Sequence, residues 1–351
     1  MTSVLSLARP DILELQPYQH ATWDPSLERM HANEMPWRAQ GDNTDAGLNR
    51  YPEPQPRALV ERMSRIYDVP ASRVLVGRGS DEAIDLLVRA FCRAGTDSVV
   101  ICPPTFGFYK VAARIQGASV TEVPLIDEGF RLDTPRVVEA GHQAKIVFLC
   151  SPNNPTGNLL DEPALLAICQ GLAGNALVCV DEAYLEFSGR SSLAARLGEL
   201  PNLVILRTLS KAYALAGARC GSLIASEEIV GLLKRIIPPY AIPSSTVEEV
   251  LKLTEAPQRA ISAERIRTIL AEREQMRARL AGNPAVERVF PSDANFLLVK
   301  CRDARRFLEA GKSAGLLVRD FSAAPRLTGC LRISVGTPEQ NARLLAAVER
   351  T

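Results

Sequence analysis

The sequence predicts an α/β protein in two lobes: a larger one built on a helix-covered sheet and a smaller α+β one. Three observations carry that expectation. Short apolar runs alternate with helical patterns from about Arg73 to Ala225. Those runs are hydrophobic on both faces, which suits strands whose sheet is covered by helices on both sides. After Pro238-Pro239 the character changes to a long charged helical pattern, followed by mixed strands and helices.

Taken in order, the first 45 or so residues lack periodicity and are expected to form an arm that packs on the smaller lobe. Residues 46–240 are expected to form the large lobe. "RVLVG" (Arg73–Gly77) reads as a strand. "SDEAIDLLVRAFCRAG" reads as a helix with Ser80 as N-cap and Gly95 beyond its end. "SVVIC", "KIVFLC", "ALVCVD", "NLVILRT" and "CGSLIA" read as further strands. Residues 241–351 are expected to form the smaller lobe. A helical pattern runs there from about Ser245 to Leu280, with strands near Ala294–Lys300, Gly315–Val318 and Cys330–Val335.

At 351 residues the chain has room for two lobes. A charged fraction of 23% and a net charge of +1 give no electrostatic case for nucleic acid or an anionic membrane. The apolar runs fall short of the roughly 20 residues a spanning helix needs. "MTSVLSLARPDILELQ" lacks a basic stretch and an unbroken apolar run, so a signal peptide is not expected. The eight cysteines include Cys102, Cys150 and Cys179 inside apolar runs, with no C-x-x-C pair. They read as buried reduced thiols in a cytoplasmic protein, without metal or disulfides.

Two motif matches fail on context. "GKSAG" (Gly311–Gly315) has the hydrolase spacing, but a helix precedes it and a strand follows, the reverse of a nucleophile elbow. "GRGSDE" (Gly77–Glu82) is neither a P-loop nor a dinucleotide fingerprint. It does join a strand end to a helix start, where free N–H groups favour an anion. A plain helix cap would explain it equally well.

Other stretches resist a structural explanation. "SPNNPTG" (Ser151–Gly157) follows a buried strand, although turn chemistry alone would account for it. Asp181 ends a strand that is apolar on both faces, where an ionised carboxylate needs a partner, and Tyr184 follows three residues on. Of seven lysines, only Lys211 comes directly after a buried strand, beside Ser210 and ahead of Arg219. Burial and a neighbouring cation there would lower an amine's pKa. Lysine, strand-end carboxylate, tyrosine, asparagine loop and anion site together suit pyridoxal 5'-phosphate.

With these motifs the sequence resembles the class I/II aminotransferases, fold type I of the pyridoxal-phosphate enzymes, which implies a mostly parallel large-domain sheet. Within that family it is most similar to the histidinol-phosphate aminotransferases. The resemblance runs nearly end to end, through "PYQ" (Pro17–Gln19), "ANE" (Ala32–Glu34), "NRYPEPQP" (Asn49–Pro56), "DEAYLEF", "RTLSKAYALAGARCG" and "LRISVGTPE" (Leu331–Glu339). It implies Lys211 as the Schiff-base lysine and Asp181 as partner of the pyridine nitrogen. Asn154 and Tyr184 would bond the ring's phenolic oxygen, and Tyr109 would stack on the ring. Ser80, Asp81, Ser210 and Arg219 would hold the phosphate, with Tyr51 reaching it from the second subunit of a homodimer. Arg332 would bind the substrate's anionic group, with Tyr18, Asn33 and Arg319 nearby.

The chain departs from the family in "HANEMPWRAQGD", which loses the usual Asn-Pro and following Gly, and in the segment after Arg319. The implied reaction takes L-histidinol phosphate and 2-oxoglutarate to imidazole-acetol phosphate and L-glutamate by ping-pong kinetics. An aromatic aminotransferase or a threonine-phosphate decarboxylase shares much of the pattern and is the alternative. A pyridoxal-phosphate-binding regulator would need a DNA-binding extension for which the chain has no room.

Overall fold

The computed structural model describes residues 3–20, 24, 26–126 and 129–349. In the large lobe, α1 (Pro10–Leu13) and α2 (Arg57–Tyr67) precede β1 (Val74–Gly77), α3 (Ser80–Phe91), β2 (Ser98–Ile101), α4 (Phe108–Gln116) and β3 (Ser119–Glu122). There follow α5 (Thr134–Gly141), β4 (Ile146–Cys150), α6 (Glu162–Gly171), β5 (Leu177–Asp181), β6 (Leu203–Thr208), β7 (Gly221–Ile224) and α7 (Glu227–Leu233). The seven strands stand in the order β1-β7-β6-β5-β4-β2-β3, with β7 antiparallel to both neighbours and the other pairs parallel.

Strand alternation explains the two-sided burial. Val147, Leu149, Val178 and Val180 face α2, α5 and α6, whereas Ile146, Phe148, Leu177 and Cys179 face α3, α4 and α7. β3 escaped the sequence reading because it is an edge strand whose "SVTE" is largely exposed.

α8 (Ser244–Leu253) follows, its Val250 buried in the large lobe's core beside Leu59 and Met63 of α2. The smaller lobe carries α9 (Ala256–Ala281), β8 (Val286–Val289), β9 (Phe296–Cys301), α10 (Ala304–Ser313), β10 (Arg319–Asp320), β11 (Cys330–Ser334) and α11 (Pro338–Val348). Its antiparallel sheet runs β10-β11-β9-β8. The single long helix expected over 245–280 is two. α8 stops at Thr254, and α9 restarts after Glu255 with Pro257 in its first turn, where a missing N–H costs nothing. α8 lies against α2, where Arg62 donates to the Leu251 carbonyl and the Thr254 hydroxyl. The stretch expected as a strand at Gly315–Val318 joins no ladder; pairing begins at the next residue and is limited to Arg319–Asp320, after Gly315 turns the chain at φ +71°.

Two further expectations are corrected. Gly79, not Ser80, caps α3, because its φ of +86° suits glycine, and Ser80 is the first helical residue. The arm does not begin on the smaller lobe. Val4, Leu7 and Ala8 are buried with α3 and α7, and Arg9 N–H donates to the Ala90 carbonyl. The apolar spacing Val4-Leu7-Ala8 accounts for this seating.

All eight cysteines are free and buried. Among the described residues no helix is long and apolar enough to cross a membrane. No group of three or more His, Cys, Asp or Glu among them is arranged to hold a metal ion.

Candidate active site

A cavity of about 660 Å³ opens beyond the carboxyl ends of β4, β5 and β6. It is lined there by Cys150, Asp181 and Thr208, from α3 by Ser80 and Asp81, and from the smaller lobe by Arg319, Phe321 and Arg332. This is the crevice that an open α/β sheet offers a ligand.

Asp181 is buried, receiving the Tyr109 hydroxyl at 2.8 Å and the Ala183 N–H at 3.1 Å. Burial pushes its pKa up to about 6, against the lowering effect of those two bonds. Such a carboxylate is completed by a cation entering the cavity. Lys211 faces it from the turn after β6, its amine 5.7 Å from the Tyr184 ring centroid. Burial, then the nearby charge of Arg332, lowers the pKa of Lys211, although the amine stays open to the cavity.

The phosphate end is built by close backbone approach. A Cβ on Gly221 would stand 2.6 Å from the Gly79 carbonyl carbon and 2.7 Å from Ser80 N, so β7 can lie against the start of α3 only as glycine. A Cβ on Gly79 would meet the Arg219 guanidinium at 2.9 Å. The start of α3, Ser210 and Arg219 therefore share one wall of the cavity, with Thr208 Oγ1 bonded to Ser210 Oγ at 3.0 Å. Arg219 also pairs with Asp81 at 3.3 Å.

At the opposite end Arg332 donates to Asn154 Oδ1, and Asn154 Nδ2 donates to the Tyr184 hydroxyl at 3.4 Å. The Nε of Arg332 is buried without a partner. Arg332 and Arg319 both lie over the Phe321 ring, at 5.5 and 5.8 Å from its centroid.

The sequence-predicted residues thus converge in large part: Ser80, Asp81, Asn154, Asp181, Tyr184, Ser210, Lys211, Arg219, Arg319 and Arg332 line one cavity. Tyr109 does not. It sits on the inward side of α4, fully buried, with its ring parallel to Phe148, so it cannot stack on a ligand. The rings that line the cavity beside it are Phe106 and Phe108, which sequence reasoning missed. Their signal was the "PPTFGF" run at a strand end.

Tyr18 and Asn33 are not brought to the cavity of their own chain. Tyr18 is exposed against His20, and Asn33 is exposed in a left-handed turn at φ +57°. Tyr51 also lies elsewhere, half exposed and stacked on Tyr240 at 4.7 Å.

These residues suit pyridoxal phosphate. Asp181 has no ion pair among the described residues and would take one from the protonated ring nitrogen, Lys211 is an amine of lowered pKa, and the glycine-built wall offers backbone N–H groups to a phosphate.

The family model for aminotransferase class I and II matches residues 28–348. The chain belongs to the class I and II aminotransferases. Among relatives of this aminotransferase, the histidinol-phosphate aminotransferase of Stenotrophomonas maltophilia (strain R551-3) is 45% identical over 357 residues, covering 98% of this chain and 96% of that protein. The one from Xylella fastidiosa (strain 9a5c) is 46% identical over 355 residues, covering 99% and 96%. A solved histidinol-phosphate aminotransferase from Sinorhizobium meliloti, in complex with pyridoxal-5'-phosphate, superposes with a TM-score of 0.78. Its identity is 26%, with 86% of this chain and 82% of that chain covered.

Proposed function

We propose that this aminotransferase transfers the amino group of L-histidinol phosphate to 2-oxoglutarate, giving imidazole-acetol phosphate and L-glutamate, in L-histidine biosynthesis. The observation that carries the reading is near-full-length identity of 44–46% to proteins of that activity. Within the site it is supported by two guanidiniums at the substrate end, Arg319 and Arg332, neither of which forms an ion pair with a carboxylate among the described residues.

Pyridoxal phosphate, when bound, supplies the carbonyl that accepts the amino group and the ring that takes up the electron pair of the broken C–H bond. The chain's own residues would do the rest. Asp181 would hold the ring nitrogen protonated, and Asn154 and Tyr184 the phenolic oxygen. Ser80, Ser210, Arg219 and the backbone N–H groups at the start of α3, that of Asp81 among them, would hold the phosphate. Lys211 would take the proton from the donor's Cα, and in the second half-reaction deliver one to the Cα of nascent glutamate. Arg332 and Arg319 would bind the phosphate of one substrate and a carboxylate of the other in alternation, the planar guanidinium suiting both.

The reading extends to a cytoplasmic homodimer with shared sites, in which Tyr51 reaches the partner's phosphate end. Tyr18 and Asn33 would complete the substrate end. The test is the absorbance change of the cofactor-loaded enzyme with a panel of donors. Histidinol phosphate should react far faster than histidinol, phenylalanine or threonine phosphate. A site built for a phosphate leaves donors unpaired with histidinol, a loss worth on the order of 10⁴. Faster reaction with phenylalanine, or carbon dioxide release from threonine phosphate, overturns it.

A further inference from the structure

Tyr109 lies behind the cavity wall, at the second residue of α4, and is fully buried. Its ring is parallel to Phe148 of β4, with centroids 4.9 Å apart at 4°, and edge-on to Phe106 at 5.5 Å and 85°. Two rings therefore fix the direction of its hydroxyl, which donates to Asp181 Oδ2 at 2.8 Å. We infer that Tyr109 is a positioning residue for Asp181, its hydroxyl keeping the carboxylate ionised and oriented while its ring backs Phe106, which lines the cavity. The inference rests on the proposed pairing of Asp181 with the cofactor's ring nitrogen.

The surroundings of Asp181 leave that duty to few groups. Cys150 of β4 and Cys179 of its own strand are thiols whose pKa values burial raises, so they remain neutral. Asp81 of α3 carries a like charge that opposes ionisation, and the Tyr184 phenol is also held neutral by burial. Lys211, which lines the same cavity, contributes a cation's attraction that favours the anion. After burial, the Tyr109 hydrogen bond is the strongest influence on the Asp181 carboxyl, and it favours the anion. Burial and the Asp181 charge hold the phenol of Tyr109 well above its ordinary pKa. It therefore keeps its proton, and remains a donor, across the working pH range. Packing alone would be served by phenylalanine.

The experiment measures the equilibrium affinity of the apo protein for pyridoxal phosphate between about pH 5.5 and 8.5. It compares the natural protein with Tyr109→Phe and Asp181→Asn. The Phe variant keeps both ring contacts and removes one charge-assisted bond. The acid limb of its profile should move up by about one pH unit, so that affinity falls roughly tenfold near pH 5.5, about twofold at pH 7 and little above pH 8. Asp181→Asn should bind more weakly still and lose the acid limb. A Tyr109→Phe profile that overlays the natural one while Asp181→Asn loses affinity overturns the inference alone. A Phe variant weaker by the same factor at every pH assigns Tyr109 to packing and also overturns it. If both variants bind like the natural protein, the role of Asp181 falls and the inference falls with it. The limb position is read within each variant, so a general loss of stability does not imitate the shift.

Discussion

Arg319 and Arg332 stand directly opposite each other on the paired strands β10 and β11, and both line the active-site cavity. Like charges opposite one another in a ladder are destabilising, and here no ion pair with a carboxylate relieves them among the described residues. Burial and the charge of Arg319 lower the pKa of Arg332, with Tyr184 acting the other way. The Phe321 ring beneath both guanidiniums returns part of the cost through cation–π attraction. A pair held this way is completed by an anion.

Arg332→Ala should accordingly weaken both substrates, not one. A lost charge-assisted contact costs about 1.5–3 kcal/mol, which is roughly ten- to hundredfold in kcat/KM for histidinol phosphate and for 2-oxoglutarate alike. Affinity for the cofactor should stay within about twofold. Loss for only one of the two substrates would show that the two anions do not share Arg332. The thermal midpoint should not fall, because a like-charge opposition is removed.

Lys211 is the amine the cavity leaves open beside Asp181. Borohydride treatment of the cofactor-loaded enzyme should fix the cofactor to Lys211, read by the mass of that peptide. Lys211→Ala should still bind cofactor through Asp181 and the phosphate wall. Its turnover should drop by at least about 10²-fold, the lower range of general acid–base contributions. A label on any other lysine ends this assignment.

The sheet and the cofactor end were legible in the sequence because both obey local rules. Buried strands read as unbroken apolar runs, and polar residues at their ends, such as Asp181 and Ser210, stand out against them. The misses have one physical source: direction within an element is not written in composition. "FGFYK" offers three aromatic rings, and only the start of α4 at Phe108 decides that Tyr109 turns inward while Phe106 and Phe108 meet the cavity. Arg319 facing Arg332 likewise depends on the register between β10 and β11, which no stretch of either strand states alone. The arm was misplaced because its Val4-Leu7-Ala8 spacing is too short to register as a period.

Tyr51 gives a prediction about assembly. It belongs to a run from Leu27 to Tyr51 that exposes large apolar side chains, among them Met30 at 97% and Trp37 at 74%. Exposure on that scale marks an interaction surface. The enzyme should therefore run as a dimer in light scattering. Tyr51→Ala and Lys211→Ala, each inactive as pure dimers, should regain part of the activity when mixed under subunit exchange, since one heterodimer site keeps both residues. A fully active monomer contradicts the shared site.

The last prediction follows from the Asp181 carboxyl, whose pKa burial pushes up to about 6 from an ordinary 3.8. A raised carboxyl means that in this window the folded apo protein binds more protons than the unfolded chain. Its ionisation therefore opposes folding. The penalty is absent below about pH 4, grows through pH 5 and is complete above pH 6, where about two pKa units amount to roughly 3 kcal/mol. Asn at this position imitates the protonated form. The apo Asp181→Asn protein should match the natural one near pH 4 and exceed it in unfolding free energy by up to that amount at pH 7.5. Adding pyridoxal phosphate should reverse the order at pH 7.5, because the natural carboxylate then meets the ring's cation. Denaturant melts of both proteins, with and without cofactor at the two pH values, check the sign. An apo variant less stable than the natural protein at pH 7.5 would mean that Asp181 serves the fold before it serves the cofactor.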